Sequence, residues 1–141
     1  MWPLFLVSTV CLVCQAPDAK ADELAYTRTL EKRASEVLDD LRLDDRAIAD
    51  RVRGTVIEQY RGLRTLHEAR DAKVREIQAD GGIEKAAKAG RIEAERMSTE
   101  AASASLNDRF LAALARDLSP AQVETVKDKM TYHKLQVTYD G

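Results

Sequence analysis

Along most of this chain apolar residues recur at three- and four-residue steps, the pattern of amphipathic helices. Tyr26, Leu30, Ala34, Val37, Leu38 and Leu41 form the first such stripe, with Glu31, Lys32, Arg33 and Glu36 between them. Leu43-Asp44-Asp45 then punctuates. Asp44 has the chemistry of an N-cap, and Leu43 and Ile48 have the spacing of a hydrophobic staple around it. A second stripe, Ile48, Val52, Val56, Leu63, Leu66, Val74 and Ile77, predicts a helix over 45–79. At ~1.5 Å per residue such a helix exceeds ~50 Å, longer than a globule of this size is wide. It therefore belongs to an elongated bundle or is interrupted. Gly54 and Gly62 mark either close helix packing or a bend. Asp80-Gly81-Gly82 is a clear stop.

From 83 to 105 the chain is rich in Ala, Glu, Lys and Arg, which predicts an exposed helix supported by pairs such as Glu84–Lys88. Leu106, Phe110, Ala113 and Leu114 restore a buried face and carry a third helix to about 117. Ser119-Pro120-Ala121-Gln122 is the strongest local signal: a capping residue, Pro at the first helical position, and Gln closing a capping box. Leu118 and Val123 flank it at staple spacing. A short helix to about Met130 follows. Residues 131–139 then alternate, with His133, Leu135, Val137 and Tyr139 on one side, which predicts an extended segment. A domain seldom ends on an unpaired segment of that kind, so the expectation is a domain that continues past Gly141. The fold class is all-α, an elongated bundle of three to four helices with an extended C-terminal segment.

The N-terminus departs from the helical pattern. An apolar run, Leu4 to Val13, is broken only by Ser8 and Thr9 and leads to Ala19-Lys20-Ala21. The run is too short for a membrane span of ~20 residues, and the small residues form an A-x-A cleavage site. No Lys or Arg precedes the run, which is atypical of such a leader. The expected organisation is a signal peptide over 1–21, cleaved after Ala21, and one helical domain over 22–141 in the periplasm or secreted. Cys11 and Cys14 leave with the leader, as does Trp2. Both Cys follow Val, not the small residue that a lipoprotein signal requires. The remaining chain has no membrane span.

Composition narrows the function classes. The chain has 141 residues, 22 basic and 24 acidic side chains, and a formal charge of −2. That balance argues against a nucleic-acid partner. Two Cys make neither a zinc site nor a disulfide scaffold. There is no G-x-S-x-G, phosphate-binding loop or dinucleotide motif, and no cofactor is implied.

Candidate chemistry lies on the second helix and at the C-terminus. At 100° per residue Gln59 and Arg70 fall inside the apolar stripe, with Tyr60 and His67 at its edge. An arginine there must be paired, reach solvent, or face a ligand. One reading is a polar pocket of Gln59, Tyr60, His67 and Arg70 that hydrogen-bonds a ligand; the more economical one is Arg70 reaching an acid on a neighbouring helix or snorkelling to solvent. His67 and Asp71 are four apart and could offer two metal ligands, short of the usual three or four, so no metal is expected. Tyr132 and Tyr139 could stack on a sugar ring, although tyrosines at a core edge explain them equally well.

A resemblance is carried by Tyr60-Arg61-x-Leu63…His67-x-Ala69-Arg70-Asp71-Ala72-Lys73, by Leu118-Ser119-Pro120-x-Gln122-Val123…Val126-Lys127-Asp128-x-Met130-Thr131-Tyr132, and by Val137-Thr138-Tyr139. Over 26–139 the chain resembles an uncharacterised family of secreted helical proteins from polysaccharide-degrading bacteria, for which sugar binding has been suggested. The resemblance implies a periplasmic or secreted accessory protein linked to carbohydrate use, with an oligosaccharide ligand and no catalytic residues. Members usually continue with further helix past this point. Leu118-Ser119-Pro120-Ala121-Gln122 is also similar to the L-T-x-x-Q motif of small periplasmic chaperones of envelope stress, which implies a protein partner instead. An enzyme using His67, Arg70 and Asp71 is the least supported reading, because no acid pair is recognisable.

Overall fold

A computed structural model describes the backbone of residues 16–139 and the side chains of residues 18–131. Among the described residues the chain forms four helices: α1 (Ala16–Leu41), α2 (Arg46–Ala79), α3 (Lys85–Leu114) and α4 (Pro120–Tyr139). α2 packs on both α1 and α3, and α1 packs on α4. The architecture is the expected elongated all-α bundle. The apolar run from Leu4 to Val13 lies outside the described residues, and α1 passes through the expected cleavage position at Ala21.

Local chemistry sets the helix ends. α1 stops where Arg42 adopts a left-handed conformation (φ 47°), which reverses the chain. α2 is capped by Asp45, not Asp44: the Asp45 carboxylate accepts hydrogen bonds from the amides of Ala47 (2.8 Å) and Ile48 (3.2 Å). The shift of one residue leaves the apolar contact intact, since Leu43 and Ile48 both pack against the core. At the far end the Asp80 carboxylate accepts from the Gly82 amide (2.9 Å), and the Lys88 ammonium donates to the Gln78 carbonyl (3.0 Å). The α4 capping box forms reciprocally: the Gln122 side chain accepts from the Ser119 amide (2.9 Å), and the Ser119 hydroxyl accepts from the Gln122 amide (3.3 Å).

The expected extended segment over 131–139 is helical, the last part of α4. Its β-branched and aromatic residues favour a strand, but a lone extended segment leaves its backbone amides and carbonyls without partners. Continuing a helix already capped at Ser119 satisfies them locally, at little further entropic cost.

The core gathers at one end of the bundle. Ala34, Val37, Leu38 and Leu41 of α1 meet Val52 and Val56 of α2, Phe110 and Leu114 of α3, and Leu118 and Val126 at the start of α4. Polar ties hold the same end: Arg51 makes a bidentate contact to Asp117 (3.1 and 2.7 Å), and Lys129 pairs with Asp40 (2.7 Å). Antiparallel α1 and α2 are joined further along by Arg53 to Ser35 (2.8 Å), Arg61 to Thr27 (3.0 Å) and Arg64 stacked on the Tyr26 ring (4.0 Å). Beyond Gly62, α2 and the first half of α3 form a hairpin arm in which no described side chain is fully buried.

Gly62 explains how closely that hairpin closes. A Cβ there would stand 2.8 Å from Leu106 Cδ2, so its absence lets Leu106 rest against α2. Gly54 meets nothing within 4 Å and marks no contact. α2 is a single uninterrupted helix of 34 residues.

Candidate functional site

The α2–α3 seam opens into two adjoining cavities on the flank of the core. The first, about 230 Å³, is lined by Thr55, Glu58 and Gln59 of α2 and by Leu106, Arg109 and Phe110 of α3. The second, about 380 Å³, continues along the arm past Gly62, Thr65 and Leu66, and shares Leu106 and Arg109 with the first. Both combine an apolar floor with polar groups at the rim, the usual make-up of small-molecule sites.

Gln59 is the distinctive group. It is 5% exposed and is the buried polar residue of the described set. Its side chain has no hydrogen bond to any described residue; its amide reaches solvent through the first cavity, and among the described residues no buried side-chain N or O lacks a partner. An amide opening onto a cavity has both a donor and an acceptor to offer. Glu58 beside it and Arg109 across the seam are exposed, and neither has an ion pair among the described residues. A carboxylate, an amide and a guanidinium thus ring one small opening over Leu106 and Phe110.

The other expected site residues are distributed differently. Tyr60 turns from Gln59 toward α1, where the Arg33 guanidinium lies 5.6 Å from its ring centroid. Burial raises the Tyr60 hydroxyl pKa above its ordinary value, with Arg33 opposing the shift. His67 is exposed, and Arg70 donates to the neighbouring Asp71 through Nε (2.9 Å) and an Nη (2.7 Å). Arg70 thus pairs with its neighbour on α2 and, among the described residues, not with an acid on another helix. Tyr132 and Tyr139 lie on α4, with side chains outside the described residues. Among the described residues no three His, Cys, Asp or Glu side chains converge as a metal site.

Sequence reasoning missed Glu58, Arg109 and the shared floor of Leu106 and Phe110. A signal existed. The stop at 80–82 fixes an antiparallel hairpin, and counting equal distances from it along both helices brings Gln59 opposite Ser103, within two turns of Arg109 and Phe110.

Fold and seam together define an elongated all-α bundle with an amphipathic groove between its two longest helices. By sequence the chain belongs to a family described as protein of unknown function (DUF3826), whose model matches residues 27–141. No curated protein matches the chain. No described helix is long and apolar enough to cross a membrane.

Proposed function

We propose that this chain is an exported, non-catalytic accessory protein of polysaccharide utilisation that binds oligosaccharide in the α2–α3 seam. The observation that carries the reading is the Gln59 amide, which opens onto a cavity beside Glu58 and Arg109 without a hydrogen bond to another described side chain. Planar polar side chains suit vicinal hydroxyls: a carboxylate accepts from two, a guanidinium donates to two, and an amide does one of each. Leu106 and Phe110 offer the apolar surface that the C–H face of a sugar ring covers. Glu58 and Arg109 balance in charge, which favours a neutral sugar.

The sequence likeness to secreted proteins of polysaccharide-degrading bacteria supports the same reading. So does the α1 N-terminus: residues 18–25 are all exposed, so cleavage after Ala21 removes no described buried side chain. Fractionation of expressing cells with N-terminal sequencing should recover a periplasmic or secreted chain beginning at Asp22. Binding is tested by calorimetric titration with neutral plant-polysaccharide fragments. Wild type should saturate, and Gln59→Leu, which keeps the buried volume, should lose affinity roughly tenfold by leaving ligand hydroxyls unpaired. Equal binding by both proteins would remove the seam as the site.

A periplasmic chaperone or scaffold is the second reading. It draws on the arm, where Met97 is 60% exposed, and on Leu24 of α1, 54% exposed. If substoichiometric protein fails to slow aggregation of a denatured client, this reading is dropped.

A further inference from the structure

We infer that the seam holds two adjoining sugar subsites, so that its ligand is a chain of at least two linked neutral units lying along α2 and α3. The inference rests on the sugar-binding reading of the first cavity. It adds the second cavity, the length of the ligand and its direction.

Continuity is the first argument. The cavities share Leu106 and Arg109, so they are successive widenings of one groove. Gly62 sets the division between them. Because Gly62 lacks a Cβ, Leu106 settles against α2 and forms a low apolar ridge where a side chain from position 62 would otherwise stand. A linked pair of rings can lie across such a ridge with one ring on each side.

Spacing is the second argument. Gln59 marks the first cavity and Leu66 the second. Seven residues of helix separate them by ~10 Å, the span of two linked pyranose rings. Arg109 faces both cavities, and its fork of N–H donors can reach hydroxyls of both units.

Lining chemistry is the third. Apart from the shared Arg109, the second cavity has no charged wall: Leu66 and Ala102 are apolar, and Thr65 and Ser105 bring hydroxyls. The Thr65 hydroxyl donates to the Arg61 carbonyl (3.0 Å) and keeps its acceptor capacity, and the Ser105 hydroxyl has no hydrogen bond among the described residues. Hydroxyl-bearing, near-neutral walls match a second neutral sugar and offer little to a carboxylate or phosphate beyond one guanidinium.

The test is calorimetry on the full chain with glucose, galactose and xylose, and with cellobiose, maltose, galactobiose and xylobiose. The expected result is a dimer bound roughly tenfold more tightly than its own monomer, about one or two added hydrogen bonds. Ser105→Leu and Thr65→Leu fill the second cavity from opposite helices at exposed positions. Each should abolish the dimer's advantage over its own monomer. Because the two variants approach from different helices, misfolding of one leaves the other to decide. Monomer and dimer binding equally well, both weakened by Gln59→Leu, would overturn the second subsite and leave the sugar site standing. No binding of any probe by wild type would overturn both.

Discussion

Truncating Leu114 separates the core from the arm. Leu114 is 1% exposed and sits among the α1, α2 and α4 side chains that close one end of the bundle. Leu114→Ala removes a buried isobutyl group and leaves a cavity that the surrounding helices fill only in part. Leu→Ala changes at such sites cost ~3–5 kcal/mol, and the lower end applies here because α4 starts close by and can settle inward. Domains of this size have ~5–15 kcal/mol in all, so a loss of about 3 kcal/mol takes a large share. At ~4 °C per kcal/mol, Tm should fall by about 12 °C. Val74, on the arm, is only partly buried, and Val74→Ala should cost about 1 kcal/mol or less. Urea denaturation followed by helical circular dichroism gives both values, and hydrogen exchange shows where each acts. Leu114→Ala should speed exchange throughout, and Val74→Ala in the arm alone. If Val74→Ala lowers the urea midpoint as much as Leu114→Ala, the core is not confined to that end.

Gly54→Ala should stabilise the protein by up to about 1 kcal/mol, since its Cβ enters open space on a helix. Gly62→Ala should gain less or nothing, because its Cβ must push Leu106 off α2; paired thermal melts compare the two. The Arg51 guanidinium holds the Asp117 carboxyl below the usual carboxylate range. A carboxyl depressed on folding contributes its full stability above its unfolded pKa of ~3.9, and loses it as pH falls through the lower folded value. Asp117→Asn should therefore destabilise at neutral pH and flatten the decline of Tm below about pH 4. An unchanged acid limb would assign that decline to other carboxylates.

What the sequence made legible was local. The reciprocal bond of Ser119 and Gln122, the stop at Asp80 and the helical stripes all arise from residues within one or two turns of each other. Their chemistry is therefore complete in a short window. The α2 cap was different: the sequence points to Asp44, but the neighbouring Asp45 can cap equally well, and the path of the chain after Arg42 selects it. The extended reading of 131–139 failed because alternation is a weak signal in nine residues. A helix already under way satisfies the backbone whatever the side chains prefer. Gln59 stood out on the wheel as a polar residue in an apolar stripe. Its partner across the seam did not, since Arg109 looks like any exposed arginine until α3 folds back on α2.

That folding back also accounts for where the groove lies. Near the core, α3 offers Phe110 and Leu114 to α2; toward the arm it offers Ala102 and Ser105 against Thr65 and Leu66. Helices held together at one end by large residues cannot fill the seam where the side chains become small, so space opens where the core gives out. In an apolar seam such space would be a packing defect, which truncation to smaller residues only enlarges. Here Glu58, Gln59 and Arg109 stand at its mouth, and the Gln59 amide opens onto the cavity. Gln59→Leu consequently tests two things at once. A packing defect predicts little change in stability, because the amide already reaches water, and no change in any binding. A ligand site predicts the same small change in Tm together with the loss of oligosaccharide affinity. Stability and affinity measured on that one variant decide between them.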